Sequence, residues 1–97
     1  MSNTTYPNLF SLIDLAGRCL RNRICLPATV TNFAQENRIT ERWKHFLIER
    51  ARGGAAMLVT EVIAVDPNAI AQSAIVTGFD DANVAGFTDT ATRVHAE

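Results

Sequence analysis

Thr60 and Glu61 interrupt an otherwise apolar run, GGAAMLVTEVIAV, that follows a charged, helix-like stretch. The carboxylate stands near the end of what reads as a core strand, and parallel α/β folds collect their chemistry at strand ends. Buried there, it must find a partner, because an unpaired ionised group in an apolar site is costly. A structural ion pair with an arginine is at least as good an account of Glu61 as catalysis. Pro27-Ala28-Thr29-Val30, where a short apolar strand runs out into a loop, reads by itself as an ordinary strand exit. The remaining chemistry-bearing residues read as structural. His45 belongs to the polar face of a helix and His95 ends the last helix, neither with a Cys, Ser or Asp placed for nucleophilic or metal work. Cys19 and Cys25 sit in apolar surroundings without a nearby His or further Cys, so they make neither a metal site nor a disulfide framework. Reduced thiols in a cytoplasmic protein are the reading, with no metal-ligating residue.

The elements that must position these residues follow from local pattern. Ser11–Leu15 and Arg18–Leu20 flank Ala16-Gly17, a turn signal, and form a small hairpin. Ile24-Cys25-Leu26 is a short apolar strand stopped by Pro27, which cannot donate to a sheet ladder. Thr40 is an N-cap for a helix to about Arg52, with Glu41 in the first turn facing the helix dipole. Trp43, Phe46, Leu47, Arg50 and Ala51 fall on one face of it, while Arg42, Lys44, His45 and Glu49 mostly take the other. Gly53-Gly54 ends the helix by taking a left-handed cap. Ala55–Val65 then reads as one strand with no alternation, hence buried on both faces as parallel strands are. A loop of about 15 residues follows Asp66-Pro67, long for a mere connector. Asp80-Asp81 opens a final helix with Val84, Phe87, Ala91 and Val94 at helical spacing. The order is hairpin, strand, helix, strand, loop, helix, a βαβα unit whose crossover should be right-handed.

The totals narrow the class. The 97 residues are one small domain's worth of sequence, 47% hydrophobic and 20% charged, which describes a globular chain. The net charge of −1, with lysines and arginines scattered singly, leaves no basic stripe for nucleic acid. No apolar run reaches the roughly 18 residues of a membrane span. MSNTTYPNLFSLIDLAG lacks the basic start and unbroken apolar core of a signal peptide, and residues 1–9 read as a flexible lead. No GxGxxG or GxxxxGK[ST] occurs, so the RGG is a helix stop and not a phosphate loop. One parallel pair with two helices leaves apolar strand edges unpaired, so the chain reads as the opening of a larger α/β fold.

Three stretches, LFSLIDLAGRCLRNRICLPATVTNFA, TERWKHFLIERARGGAAMLVTEVIAVDP and GFDDANVAGFTDTATRVHAE, together resemble the N-terminal part of the old yellow enzyme family. These are FMN-dependent NAD(P)H oxidoreductases on a (β/α)8 barrel. The likeness runs in order over nearly all of residues 9–97, through an NRI strand, a helix ending in ARGG, a TE strand, a DP turn and a DD helix ending in VHA. It implies an α/β fold, the N-terminal portion of a (β/α)8 TIM barrel (hairpin, then βαβα) that is not completed within residues 1–97, a fragment of one FMN-binding domain.

The resemblance also implies roles. Pro27, Ala28, Thr29 and Val30 match the segment that lies along the flavin, and Val62 matches the position after the strand's Glu, usually Gly or Ala. The chain departs from the family twice. The usual Thr or Cys falls on Val30, which cannot hydrogen-bond a flavin carbonyl, a loss of about 1 kcal/mol. Thr29 or Thr31 could take its place after a small shift. Val62 is larger than the family's residue and would crowd the ring. The family's third-strand Gln, substrate-anchoring His pair, proton-donating Tyr and phosphate loops match no part of this stretch, so no residue is assigned a catalytic role. The expectation is thus part of an enzyme that passes hydride from NADH or NADPH through FMN to a small-molecule acceptor such as an activated alkene, with no nucleic acid or membrane partner. The 97-residue chain alone is expected to be inactive and to self-associate. The alternative is a small non-catalytic α/β module stabilised by itself or a partner.

Overall fold

The computed structural model describes residues 5–97, in which three two-stranded ladders are bound together by helices. The expectation for residues 1–9 therefore lies partly outside the described residues. Ile13–Leu15 (β1) and Arg18–Leu20 (β2) pair antiparallel, with Ala16 and Gly17 both at positive φ, as a two-residue hairpin turn of the right twist requires. The hairpin joins no other strand among the described residues. Arg21 fixes its place: the guanidinium donates to the carbonyls of Ala51 and Ala55 at 2.7 and 3.2 Å, at the end of the first helix and just before the next strand. The hairpin thus lies at the N-terminal end of the parallel strands, off their sheet.

Cys25–Leu26 (β3) pairs parallel with Met57–Leu58 (β4). Between them runs α1, Glu41–Arg52, for which Thr40 is the N-cap: its hydroxyl accepts from Trp43 N at 3.1 Å and donates to Phe33 O at 2.6 Å. The helix ends in a Schellman arrangement, Gly54 N–H to Ala51 O and Ala55 N–H to Arg50 O. Gly54, not Gly53, is the residue at positive φ (+116°), while Gly53 stays right-handed. Trp43, Leu47, Ile48 and Ala51 are buried, and Phe46 lies partly buried beside them under the Arg50 guanidinium. Trp43 is 2% exposed, and burying a ring of that size contributes about 3 kcal/mol.

The expected single strand over Ala55–Val65 divides. After β4 the chain leaves the ladder, and Ile63–Ala64 (β5) pairs parallel with Val76–Thr77 (β6) instead. The two halves have different partners, so Val59, Thr60 and Val62 between them are exposed and Val65 beyond is 76% exposed. Burial on both faces therefore fails within this chain: apolar composition reflects surfaces that no described residue covers. β6 lies inside the stretch read as a long loop, whose start is a short 3-10 turn at Pro67–Ala69 capped by Asp66. Two β-branched residues were too short a run to signal a strand by pattern.

A 3-10 turn at Asp81–Asn83 leads into α2, Val84–His95. Its packed face is Gly86, Phe87, Thr90 and Val94, with Val84 and Ala91 outside, a rotation from the expected stripe. Gly86 permits this approach, because an added Cβ would stand 3.0 Å from Ile39 Cβ. Phe87 meets Trp43 edge-on, ring centres 6.3 Å apart, joining α2 to α1. The core is Ala34, Trp43, Leu47 and Val76, under both helices.

Buried Asn83 binds these parts to one another. Its Nδ2 donates to Asn37 O, Thr77 O and Thr77 Oγ1, and its Oδ1 accepts from Ile39 N at 3.0 Å. N83A should cost about 3 kcal/mol in denaturant unfolding, because several buried backbone groups lose their partner together. A loss under about 1 kcal/mol would show the contacts to be incidental. On the outer surface of the helices, Lys44 bonds Asp89 at 2.9 Å and Glu41 at 3.2 Å, and Arg93 meets both carboxylates. The Glu41 carboxyl is held below its ordinary range by Arg93 and then Lys44, and that of Asp89 by Lys44 and then Arg93. A carboxyl lowered in the folded chain adds stability above its unfolded pKa and loses it as pH falls through the folded one. The stability gap between wild type and D89N should therefore begin to narrow as pH falls below about 4, and should narrow with added salt. Thermal melts from pH 2 to 7 read it; a gap as wide at pH 2 as at pH 7 would contradict it.

Candidate functional site

Parallel pairing of β3 with β4 sends both chains onward from the same end. Pro27–Val30 leaves β3, Val59–Val62 leaves β4, and the two run side by side. Val59 N–H still bonds Leu26 O at 3.0 Å, the last ladder bond before the exits. Pro27, Ala28, Thr29 and Val30 are all exposed, Val30 at 54% and Val62 at 49%. All five expected residues thus sit at the C-terminal end of the parallel pair on open, mainly apolar surface.

Glu61 does not point with them. It is 7% exposed, and its Oε2 accepts from Thr31 N at 2.9 Å and Thr31 Oγ1 at 2.7 Å. The arginine partner considered from sequence is not what the fold supplies: no Lys, Arg or His lies within ion-pair distance of Glu61 among the described residues. The carboxylate is met by N–H and O–H donors from the other strand's exit. Thr31 was legible only as a spare hydroxyl; its tie to a carboxylate 30 positions away leaves no local pattern. With Thr29, Trp43, Phe46, Leu47 and Val59, Glu61 lines a space of about 10 Å³, one water's worth at most.

The hydroxyls of the exit segment are now distinguishable. Thr31 Oγ1 is occupied as donor to Glu61 and as acceptor from Phe33 N at 3.2 Å. Thr29 Oγ1 is exposed and makes one long bond, 3.2 Å to Pro27 O within its own turn. Of the two substitutes considered for the family's Thr or Cys, Thr29 is the one free to turn outward.

His45 stays on the surface, its Nε2 3.6 Å from Glu41, away from the strand exits. Cys19 and Cys25 are exposed free thiols with apolar side chains beside them, Leu15 and Leu20 near Cys19 and Ile24 and Met57 near Cys25. No group of three or more His, Cys, Asp or Glu residues could hold a metal among the described residues. No described helix is long and apolar enough to cross a membrane.

Comparison with known proteins agrees with this architecture. An NADH oxidase of Thermoanaerobacter brockii is 35% identical over 95 residues, 96% of this chain and 15% of that protein. The chain therefore spans about 15% of the length of that curated relative. The structure of 2-naphthoyl-CoA reductase in complex with 2-naphthoyl-CoA matches 94% of the chain, and 14% of its own, with a TM-score of 0.89 at 24% identity. Morphinone reductase in complex with tetrahydroNAD matches 93% of the chain and 24% of its own, with a TM-score of 0.83 at 22% identity. At such identities the structural likeness speaks for the fold, the N-terminal portion of a (β/α)8 barrel whose sheet is not closed among the described residues. The model of the NADH:flavin oxidoreductase / NADH oxidase family matches residues 8–97, and with strands, helix and exits in the same order, the chain belongs to that family, the old yellow enzymes.

Proposed function

We propose that this chain forms one wall of the flavin site in an FMN-dependent NAD(P)H oxidoreductase acting on a small-molecule acceptor. The observation that carries the reading is the parallel β3–β4 pair, whose exits place Pro27–Val30 beside the segment ending at Val62. Such exits are where barrels of this kind bind ligands. When bound there, FMN supplies hydride relay between a nicotinamide and an acceptor. The residues suit one face of a flat ring: Pro27, Ala28, Val30 and Val62 offer apolar surface, and Thr29 offers a hydroxyl. Free thiols at Cys19 and Cys25 are in keeping with a reducing, cytoplasmic setting.

The wall does not suffice alone. A (β/α)8 barrel takes about 250 residues, and its phosphate site commonly comes from loops after strands 7 and 8. Val59 and Val65 are exposed where a complete sheet would cover them, which favours self-association of the 97-residue chain. A polypeptide of these residues should neither retain FMN nor oxidise NADPH, and should elute as oligomers. Flavin fluorescence titration, NADPH absorbance and size-exclusion chromatography read this in one sample. Stoichiometric binding, or steady turnover, would show that the wall is a site by itself.

In a complete flavoprotein containing this segment, T29V should weaken FMN binding about fivefold, the worth of one neutral hydrogen bond, and V30T should tighten it by a similar factor. Dissociation constants from fluorescence titration decide. No change in either variant would mean that the flavin edge does not reach this segment.

A further inference from the structure

We propose that Glu61 is a positioning residue: by holding Thr31 it sets the course of the Pro27–Val30 backbone, an inference that rests on the flavoprotein reading above. Its two bonds come from one residue's N–H and O–H, at 2.9 and 2.7 Å, onto a single carboxylate oxygen. Charge-assisted bonds of this length are the strong kind. The Thr31 hydroxyl also accepts from Phe33 N, so the carboxylate holds the Thr31 amide directly and the Phe33 amide through that hydroxyl. Glu61 immediately precedes Val62, so one side chain ties both exit segments together.

Packing alone gives no reason for a carboxylate here. The neighbours lining the adjacent space are mainly apolar, Trp43, Phe46, Leu47 and Val59, and a leucine would bury there without desolvation cost. The charge has no cation to meet among the described residues. What it does have is Thr31. The cost of burying it is offset by bonds that fix a loop, and that loop leads directly from the exposed Pro27–Val30 surface. Thr31 is thereby kept from turning outward, which leaves Thr29 as the hydroxyl on that face.

Two measurements separate this role from a merely structural one. Amide hydrogen exchange on the 97-residue chain reads the clamp itself. In E61A the Thr31 amide should exchange about 10- to 100-fold faster, while Leu47 and Ile48 amides in α1 stay as in wild type. E61Q, which keeps an acceptor oxygen, should fall between them and covers the case in which E61A does not fold. Unchanged exchange at Thr31 would overturn the clamp, and equal acceleration in α1 would make Glu61 a residue of general stability. The second measurement uses the flavin-loaded protein containing this segment. E61A and T31V should shift the visible flavin absorption band, and T31S, which restores the hydroxyl, should return it. A band unmoved by E61A and T31V would overturn the positioning role. Failure of that protein to take up flavin would instead remove the flavoprotein reading, and exchange at Thr31 would still decide whether Glu61 holds the loop.

Discussion

A parallel ladder of two residues on each side cannot hold itself, and everything at the candidate site depends on what presses on it. β3 and β4 share few hydrogen bonds, and no further strand flanks them among the described residues. The pressure comes from α1, whose Trp43 and Leu47 lie in the core with Ala34 and Val76, while Leu26 and Leu58 from the two strands pack against it. Parallel strands need a crossover, and the crossover helix supplies both the connection and the apolar cover. If α1 were displaced, the strand exits would lose their common direction, and with it the juxtaposition of Pro27–Val30 and Val62.

Small apolar cores leave a larger share of the work to buried polar side chains. Asn22 accepts from Ile24 N and donates to Gly54 O, tying the start of β3 to the end of α1. Asn83 joins the loop before α1 to β6, and Glu61 joins the two strand exits. Each bridges segments that are distant along the chain, and all but one of their groups find protein partners. Such satisfied polar contacts specify geometry more sharply than apolar contact, because a slipped register would leave donors unpaired. Here they are spaced along the parallel region, one at its N-terminal end, one at its C-terminal exits and one beneath the second helix.

The surfaces left open follow the same logic in reverse. Val59, Val62 and Val65 are exposed along the strand's exit and continuation, and Val30 is exposed on the neighbouring exit. Exposed β-branched residues on strand edges are poorly suited to water and well suited to further strands or to a flat apolar ligand. Membership of a barrel family accounts for the open edge, because strands in a closed barrel have neighbours on both sides.

Much of this was legible in the residues. Thr40 before a charged first turn and Gly-Gly after the last one marked α1 within a residue, because caps are local chemistry. Ala16-Gly17 marked the hairpin, and the ordered series of motifs marked the family and its barrel. What local pattern could not reach was anything decided by a distant partner. The run Ala55–Val65 carries one apolar composition, yet it serves two ladders, because β6 lies within the connection that follows and offers the second half its own pairing. Glu61 announced that a buried carboxylate needed a partner, but not which one; Thr31 is 30 positions away, and only the parallel docking of two exits brings it within 2.7 Å. Local pattern was enough for the hairpin, β3, α1 and α2 and for their order, since these rest on neighbours a few residues apart. Tertiary packing alone decided which exits touch, which hydroxyl is held and which is free, because those depend on contacts between segments that the chain's own succession keeps far apart.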